Sequence, residues 1–251
     1  MEYGTLAWAR RTAGELTGAQ RMRQTVLLAS YQVASRIRRT PRQAGFRTPE
    51  EAERALAETD LPQTAEVNAA LGLIDRLGPP ALVGHAVRTY AFGTLFGLRD
   101  GLRWDREVLA LAALLHDLAL ARRDHGRTCF AHDGAEQALT ILAESDVDLA
   151  RRELVADAIC LHLRVSVPAS LGVEAHLVHA GAALDVVGSR GTDLGRAAVS
   201  SVLRRYPRLD LVEVLSTVFA EERRRHPTAR ISRWMSMGFE GFIRHNPLDR
   251  A

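Results

Sequence analysis

The chain has 251 residues, a net charge of +3, 47% hydrophobic and 25% charged residues. That is enough for one large domain or two small ones with a substantial core, and it excludes a disordered chain. All 33 basic residues are Arg, which excludes Schiff-base chemistry, a lysine base and the lysine of a Walker-type phosphate loop.

The chain opens Met1-Glu2-Tyr3-Gly4-Thr5-Leu6, without the basic start and apolar run of a secretory signal, so a cytoplasmic location is expected. The longest stretch free of Asp, Glu and Arg, Gln24 to Ser35, is far short of the ~20 apolar residues that cross a bilayer, so no membrane span is expected. Residues 1–47 hold nine Arg against Glu2 and Glu15. Arg21, Arg23, Arg36, Arg38 and Arg39 flank Val26, Leu27, Leu28 and Val33, the pattern of a basic amphipathic helix. Residues 1–60 therefore read as a basic helical extension packed on a main domain, 61–251. No zinc-finger or RNP pattern supports nucleic acid as a partner.

Thr48-Pro49-Glu50-Glu51 is a capping box with Pro at the first helical position. Gly78-Pro79-Pro80 breaks the chain before a helix over about 81–99. The next, about 105–123, is apolar nearly all round and should be the centre of the core. Further helices are expected at about 133–144, 148–164, 169–188, 196–205, 210–225 and 229–244, with Asp148 and Asp210 as caps. Period-two patterns are nearly absent, so the fold class is all-α, a bundle of roughly eight to ten helices. Cys129 and Cys160 are expected as buried thiols.

His116-Asp117, set within the apolar run 105–123, needs a cation or hydrogen bonds to be tolerated there. His85 on the preceding helix and Asp185 in Ala182-Ala183-Leu184-Asp185-Val186 complete a set of two histidines and two carboxylates. Such a mixed nitrogen and oxygen set suits a divalent ion, zinc first, with iron or manganese as alternatives.

The order His, His-Asp, Asp resembles the signature of the HD-domain metalloenzyme superfamily over roughly residues 70–190. Four stretches are similar to its cyanamide-hydratase-like branch: His85-Ala86-Val87-Arg88-Thr89-Tyr90-Ala91-Phe92-Gly93; Leu115 to Leu120; Phe130-Ala131-His132-Asp133-Gly134-Ala135; and Ala158-Ile159-Cys160-Leu161-His162 with Gly181 to Gly188. The tail residues Tyr206-Pro207-Arg208 and His245-Asn246-Pro247 extend the likeness to about 180 residues. Ala131 stands where the branch usually has Glu, and Leu163 where Thr is common. Leu120 stands where many phosphohydrolases of the superfamily carry an acid or Lys.

The resemblance implies a metal site of His85, His116, Asp117 and Asp185, with Asp117 and His162 in the chemistry. His162 would orient substrate or water. Arg88 meets substrate, fixes a metal ligand or makes a plain salt bridge, and His132 is a further substrate-binding candidate. His176 and His179 are expected to face away from Asp185, from their angular offset on the helix. The implied activity is addition of metal-activated water to a small nitrile-, cyanamide- or amide-like substrate. The alternatives are nucleotide phosphoester hydrolysis and a dinuclear iron oxygenase that would recruit His132 and His162. A non-enzymatic helical binding protein and a homo-oligomeric assembly are left open.

Overall fold

The computed structural model describes residues 2–37, 45, 46, 48–122, 126 and 128–250, with the backbone alone at 31–37, 49 and 250. Among them the chain is all-α, without strands. Three helices precede the core: α1 (Leu6–Thr12), α2 (Gly18–Ile37) and α3 (Pro49–Ala57). α1 packs on the central helices, burying Leu6, Trp8 and Ala9 in the common core. α2 is basic as expected, but it is not amphipathic in the expected register: Val26 and Leu27 are exposed and Leu28 is buried. The side chains of Val33 and Arg36, and residues Arg38 and Arg39, lie outside the described residues. The capping box at Thr48 is formed, with Glu51 reaching back to the Thr48 N–H.

α4 (Ala65–Leu77) leads to α5 (Pro80–Arg99), α6 (Arg106–Leu115) and the short α7 (Leu118–Ala121). α8 (Phe130–Ala143), α9 (Leu149–Leu161) and α10 (Val173–Val187) follow, then α11 (Gly191–Leu194) and α12 (Arg196–Arg205). α13 (Leu211–Arg225), α14 (Arg230–Ser236) and α15 (Phe239–Arg244) close the chain. At the centre, α5 packs along α10, and α6 and α9 pack beside them. Residues Val108 to Leu115 of α6 are fully buried, as the all-round apolar run requires.

Three helices expected to be continuous are broken, the one over 169–188 at Gly172 (φ +125°), which separates a 3-10 turn at Ala169–Leu171 from α10. The run 105–123 stops at Leu115, where His116 turns its ring back onto the Ala113 carbonyl and Asp117 leaves helical geometry (φ −109°, ψ 16°). The run 229–244 is interrupted at Gly238, whose φ of +83° only glycine adopts readily. Asp148 caps α9 by accepting from the Arg151 N–H, whereas Asp210 makes no side-chain cap bond to α13. Helix α8 starts at Phe130, three residues before the expected start. Cys129 and Cys160 are buried free thiols.

Two glycines set the distance between α5 and α10. A Cβ on Gly181 would collide with the main-chain carbonyl of Thr89, and one on Gly93 would come 2.9 Å from the Leu177 carbonyl oxygen. Because backbone cannot yield as a side-chain tip can, Gly181→Ala should destabilise the protein by about 1–3 kcal/mol. Urea unfolding checks this, and an unchanged midpoint would show that the two helices separate freely.

Candidate metal centre

His116 and His162 occupy equivalent places. Each is the residue that ends a helix, α6 and α9, and each ring Nδ1 lies against the carbonyl three residues back: Ala113 at 2.8 Å and Ile159 at 2.5 Å. A carbonyl only accepts, so both Nδ1 atoms carry the proton and both Nε2 atoms present a lone pair. His85 on α5 is fixed the same way by a carboxylate, its Nδ1 lying 2.7 Å from Asp185 Oδ2.

The three rings converge. His85 Nε2 lies 3.1 Å from His116 Nε2, and Asp117 Oδ2 is 3.3 Å from the latter and 3.5 Å from the former. His162 Nε2 is 3.9 Å from Asp117 Oδ1, an oxygen that is buried and has no hydrogen-bond partner. His85, His116 and Asp117 offer ligand atoms all within 4.8 Å of one another. Two facing nitrogen lone pairs and a carboxylate, without a donor among them, repel unless a positive charge lies between them.

The titration of the site points the same way. Burial alone would lower His116, but the Asp117 carboxylate outweighs it and moves the imidazole up, toward its charged form. Burial would raise Asp117, and the surrounding histidines instead hold it below the usual carboxylate range. Burial lowers His85, and it lowers His162 to about 3 with help from His116, so His162 is a neutral base at pH 7. The donor set and the buried orphan oxygen therefore fit a divalent ion.

Asp185 stands elsewhere than expected. Its carboxylate accepts from Arg88 Nε at 2.8 Å and Nη2 at 2.9 Å, from Arg208 Nη1 at 2.9 Å, and from His85. It is fully buried, saturated by two guanidinium groups, and lies outside the His85, His116, Asp117 cluster, against the opposite ring nitrogen of His85. Burial would raise its pKa, but Arg88 and His85 hold it well below the usual range. Arg88 is correspondingly no substrate contact: it is fully buried and also donates to the Tyr206 and Pro207 carbonyls. The structure gives Arg88 the ion pair, with Asp185, whose carboxylate also bonds to His85 Nδ1. The tail residues serve the same end, since Asn246 Nδ2 donates to the Asp185 carbonyl.

A cavity of roughly 110 Å³ opens on the cluster, walled by His85, His116, Asp117 and His162 at one end and by Phe130, Phe219, Trp234, Phe239 and Phe242 among its apolar residues. His132 is not in this wall. Phe130 faces the cavity, and two residues further along α8 the chain has turned about 200°, leaving His132 beside Glu136 at 3.6 Å. His179 corrects the expectation that it faces elsewhere. It lines the cavity with its helix neighbours Ala182, Ala183 and Val186, and its Nδ1 donates to the His162 carbonyl at 2.9 Å. The spacing i, i+3, i+4, i+7 marks that face in the sequence. Arg208 and the aromatic wall come from segments distant in sequence and carried no such signal.

The ordered pair His116-Asp117 at the mouth of an apolar cavity, with His85 opposite, decides the comparison with known proteins. Residues 82–193 match the HD domain family model. The match spans α5 to α11, the segment that supplies His85, His116, Asp117, His162 and Asp185. The likeness supports the HD-domain hydrolase superfamily over that segment of the chain. No curated protein matches the chain. No helix among the described residues is long and apolar enough to cross a membrane.

Two outcomes follow from the geometry. His116→Ala and Asp117→Asn should each abolish retention of a divalent ion, read by elemental analysis, while His176→Ala should not, because the His176 ring is bonded to the Val167 carbonyl instead. Asp185 has a depressed folded-state pKa, so its contribution to stability is complete above the ordinary carboxylate value of about 4 and is lost as pH falls toward the lower folded value. Urea midpoints should therefore drop between about pH 5 and pH 2, and Arg88→Met should cost about 3 kcal/mol at pH 7 by stranding a buried carboxylate.

Proposed function

We propose that this chain adds water to a compact, neutral nitrile-, cyanamide- or amide-like substrate at a divalent ion held by His85, His116 and Asp117, zinc being the first candidate. The observation that carries the reading is the poverty of free positive charge around the cavity. Arg164 is the one Arg in its wall among the described residues, and its Nη1 is already 2.7 Å from the Glu2 carboxylate and 2.6 Å from the Tyr3 carbonyl. Arg88 and Arg208 are committed to Asp185. A phosphate ester demands several charge-assisted donors, whereas the aromatic wall favours an uncharged group. Leu120 is buried in α7 and offers no proton to a leaving group. His132 stands away from the cluster, which removes support for the two-metal alternative.

A divalent ion bound there would polarise the substrate and lower the pKa of a coordinated water. The chain's own residues divide the remaining work. The water oxygen bonds to the substrate carbon while the carbon–nitrogen π pair moves to nitrogen. His162 Nε2, neutral and fixed as an acceptor, takes the proton released by the water and returns it to that nitrogen. Asp117 Oδ1 accepts a hydrogen bond that orients the attacking water. Asp185, with Arg88 and Arg208, keeps His85 in the tautomer that leaves Nε2 free.

The purified protein should carry about one divalent ion and hydrate or hydrolyse short carbon–nitrogen substrates at least ~100-fold faster than nucleoside monophosphates. The reverse ranking would overturn the reading. His162→Ala should lower turnover by about 10²–10⁴ with metal content unchanged; loss of the ion would make His162 a ligand.

A further inference from the structure

His179 is the single polar side chain on the face of α10 that walls the cavity, where Ala182, Ala183 and Val186 complete the helical stripe. Its ring orientation is fixed, because Nδ1 donates to the His162 carbonyl at 2.9 Å. Nε2 is therefore the unprotonated nitrogen, and it has no protein partner among the described residues. Burial lowers the imidazole to about 4, which keeps it an acceptor at neutral pH. A lone acceptor on an otherwise apolar helix face selects for a donor on whatever packs there, since an entrant without one leaves the nitrogen desolvated and unpaired.

Further along the wall, the aromatic chain Phe130, Phe219, Phe239 and Trp234 runs away from His162, with ring centroids 5.9, 6.2, 6.4 and 5.0 Å apart in succession. None of these four rings carries an acid or a charged group, and the one polar atom among them is the buried, unpaired Trp234 Nε1. The cavity, roughly 110 Å³ and partly open, leaves this apolar wall to a short alkyl group.

We infer that the cavity takes a compact neutral molecule that donates an N–H or O–H to His179 Nε2 and seats a short apolar substituent against the aromatic wall. This rests on the reading of the cavity as the active site, and it narrows the ligand class by a donor and an apolar substituent. His179 is a positioning and specificity residue in this assignment, separate from the groups that move protons.

Isobutyramide and isobutyronitrile test it, because they share the isopropyl group and differ in the N–H donor. Calorimetric titration of the metal-loaded full chain should show isobutyramide binding more tightly than acetamide by about tenfold, for the two extra methyl groups. His179→Asn keeps a donor for the His162 carbonyl, while its own acceptor oxygen stops short of the position that Nε2 holds in the cavity. It should weaken isobutyramide about tenfold and leave isobutyronitrile within twofold, with metal content and urea midpoint unchanged. The inference is overturned by any of three results: no binding of isobutyramide to the wild type, equal weakening of both ligands, or isobutyramide affinity unaltered in His179→Asn. A wild type that binds in the expected pattern yet turns over no carbon–nitrogen substrate would remove the proposed reaction and leave this ligand assignment standing.

Discussion

Three imidazoles, each tied at Nδ1 to an acceptor, force three Nε2 lone pairs toward one buried carboxylate, and the rest of the site depends on that constraint. Two of the ties are made at helix ends, where the last carbonyls lack intrahelical partners and a histidine ring can satisfy one of them. The same ends carry the negative pole of the helix dipole, so α6 and α9 both favour positive charge where their terminal histidines meet. A buried acceptor cluster of this kind is unfavourable on its own. It becomes favourable with a cation, which is why the site reads as a metal centre and not as a hydrogen-bonded core.

His85 lacks a helix end to fix it, since it lies in the middle of α5, and a second buried assembly does the work. Asp185 faces Arg88 and Arg208, and Arg208 in turn meets Asp249 at 2.7 Å, so two carboxylates balance two guanidinium groups. Asp249 is exposed at the edge, but burying Asp185 with the two guanidinium groups is still costly, and such an assembly persists only with extensive hydrogen bonding. Here the Tyr206 and Pro207 carbonyls and the Asn246 amide take up much of the remaining capacity. The C-terminal region therefore reaches the metal centre without touching it, by holding the clamp that sets the tautomer of His85.

Much of this was legible in the sequence because it is written in periodicity and in isolated polar residues. The apolar run 105–115, the caps at Thr48 and Asp148, and the exceptional His116-Asp117 within an apolar segment all survive in the structure. What was not legible depends on competition between partners. Asp185 has the chemistry of a metal ligand, and only the approach of Arg88 and Arg208, one of them 23 residues further along, turns it into a clamp. The break after Leu115 was hidden for a similar reason: a side chain bonding its own backbone outweighs the helical propensity of its neighbours. Gly238 was present as a signal, but its left-handed turn brings Trp234 and Phe239 into one wall only through contacts distant in sequence.

Charge accounting links the two assemblies to selectivity. The clamp is neutral as a unit and so lends no net field to the cavity, while the His85, His116, His162 and Asp117 group carries one negative charge when its imidazoles are neutral. A divalent ion would reverse that to one positive charge, enough to attract a polarised carbon–nitrogen group but small beside what a phosphate dianion requires. Among the described residues Arg88, Arg164 and Arg208 are each engaged by a carboxylate, and none of the three is left as a free cation to make up the difference. The same arrangement that fixes His85 thus withholds the guanidinium groups that a phosphoester site would need, so positioning and discrimination follow from one set of ion pairs.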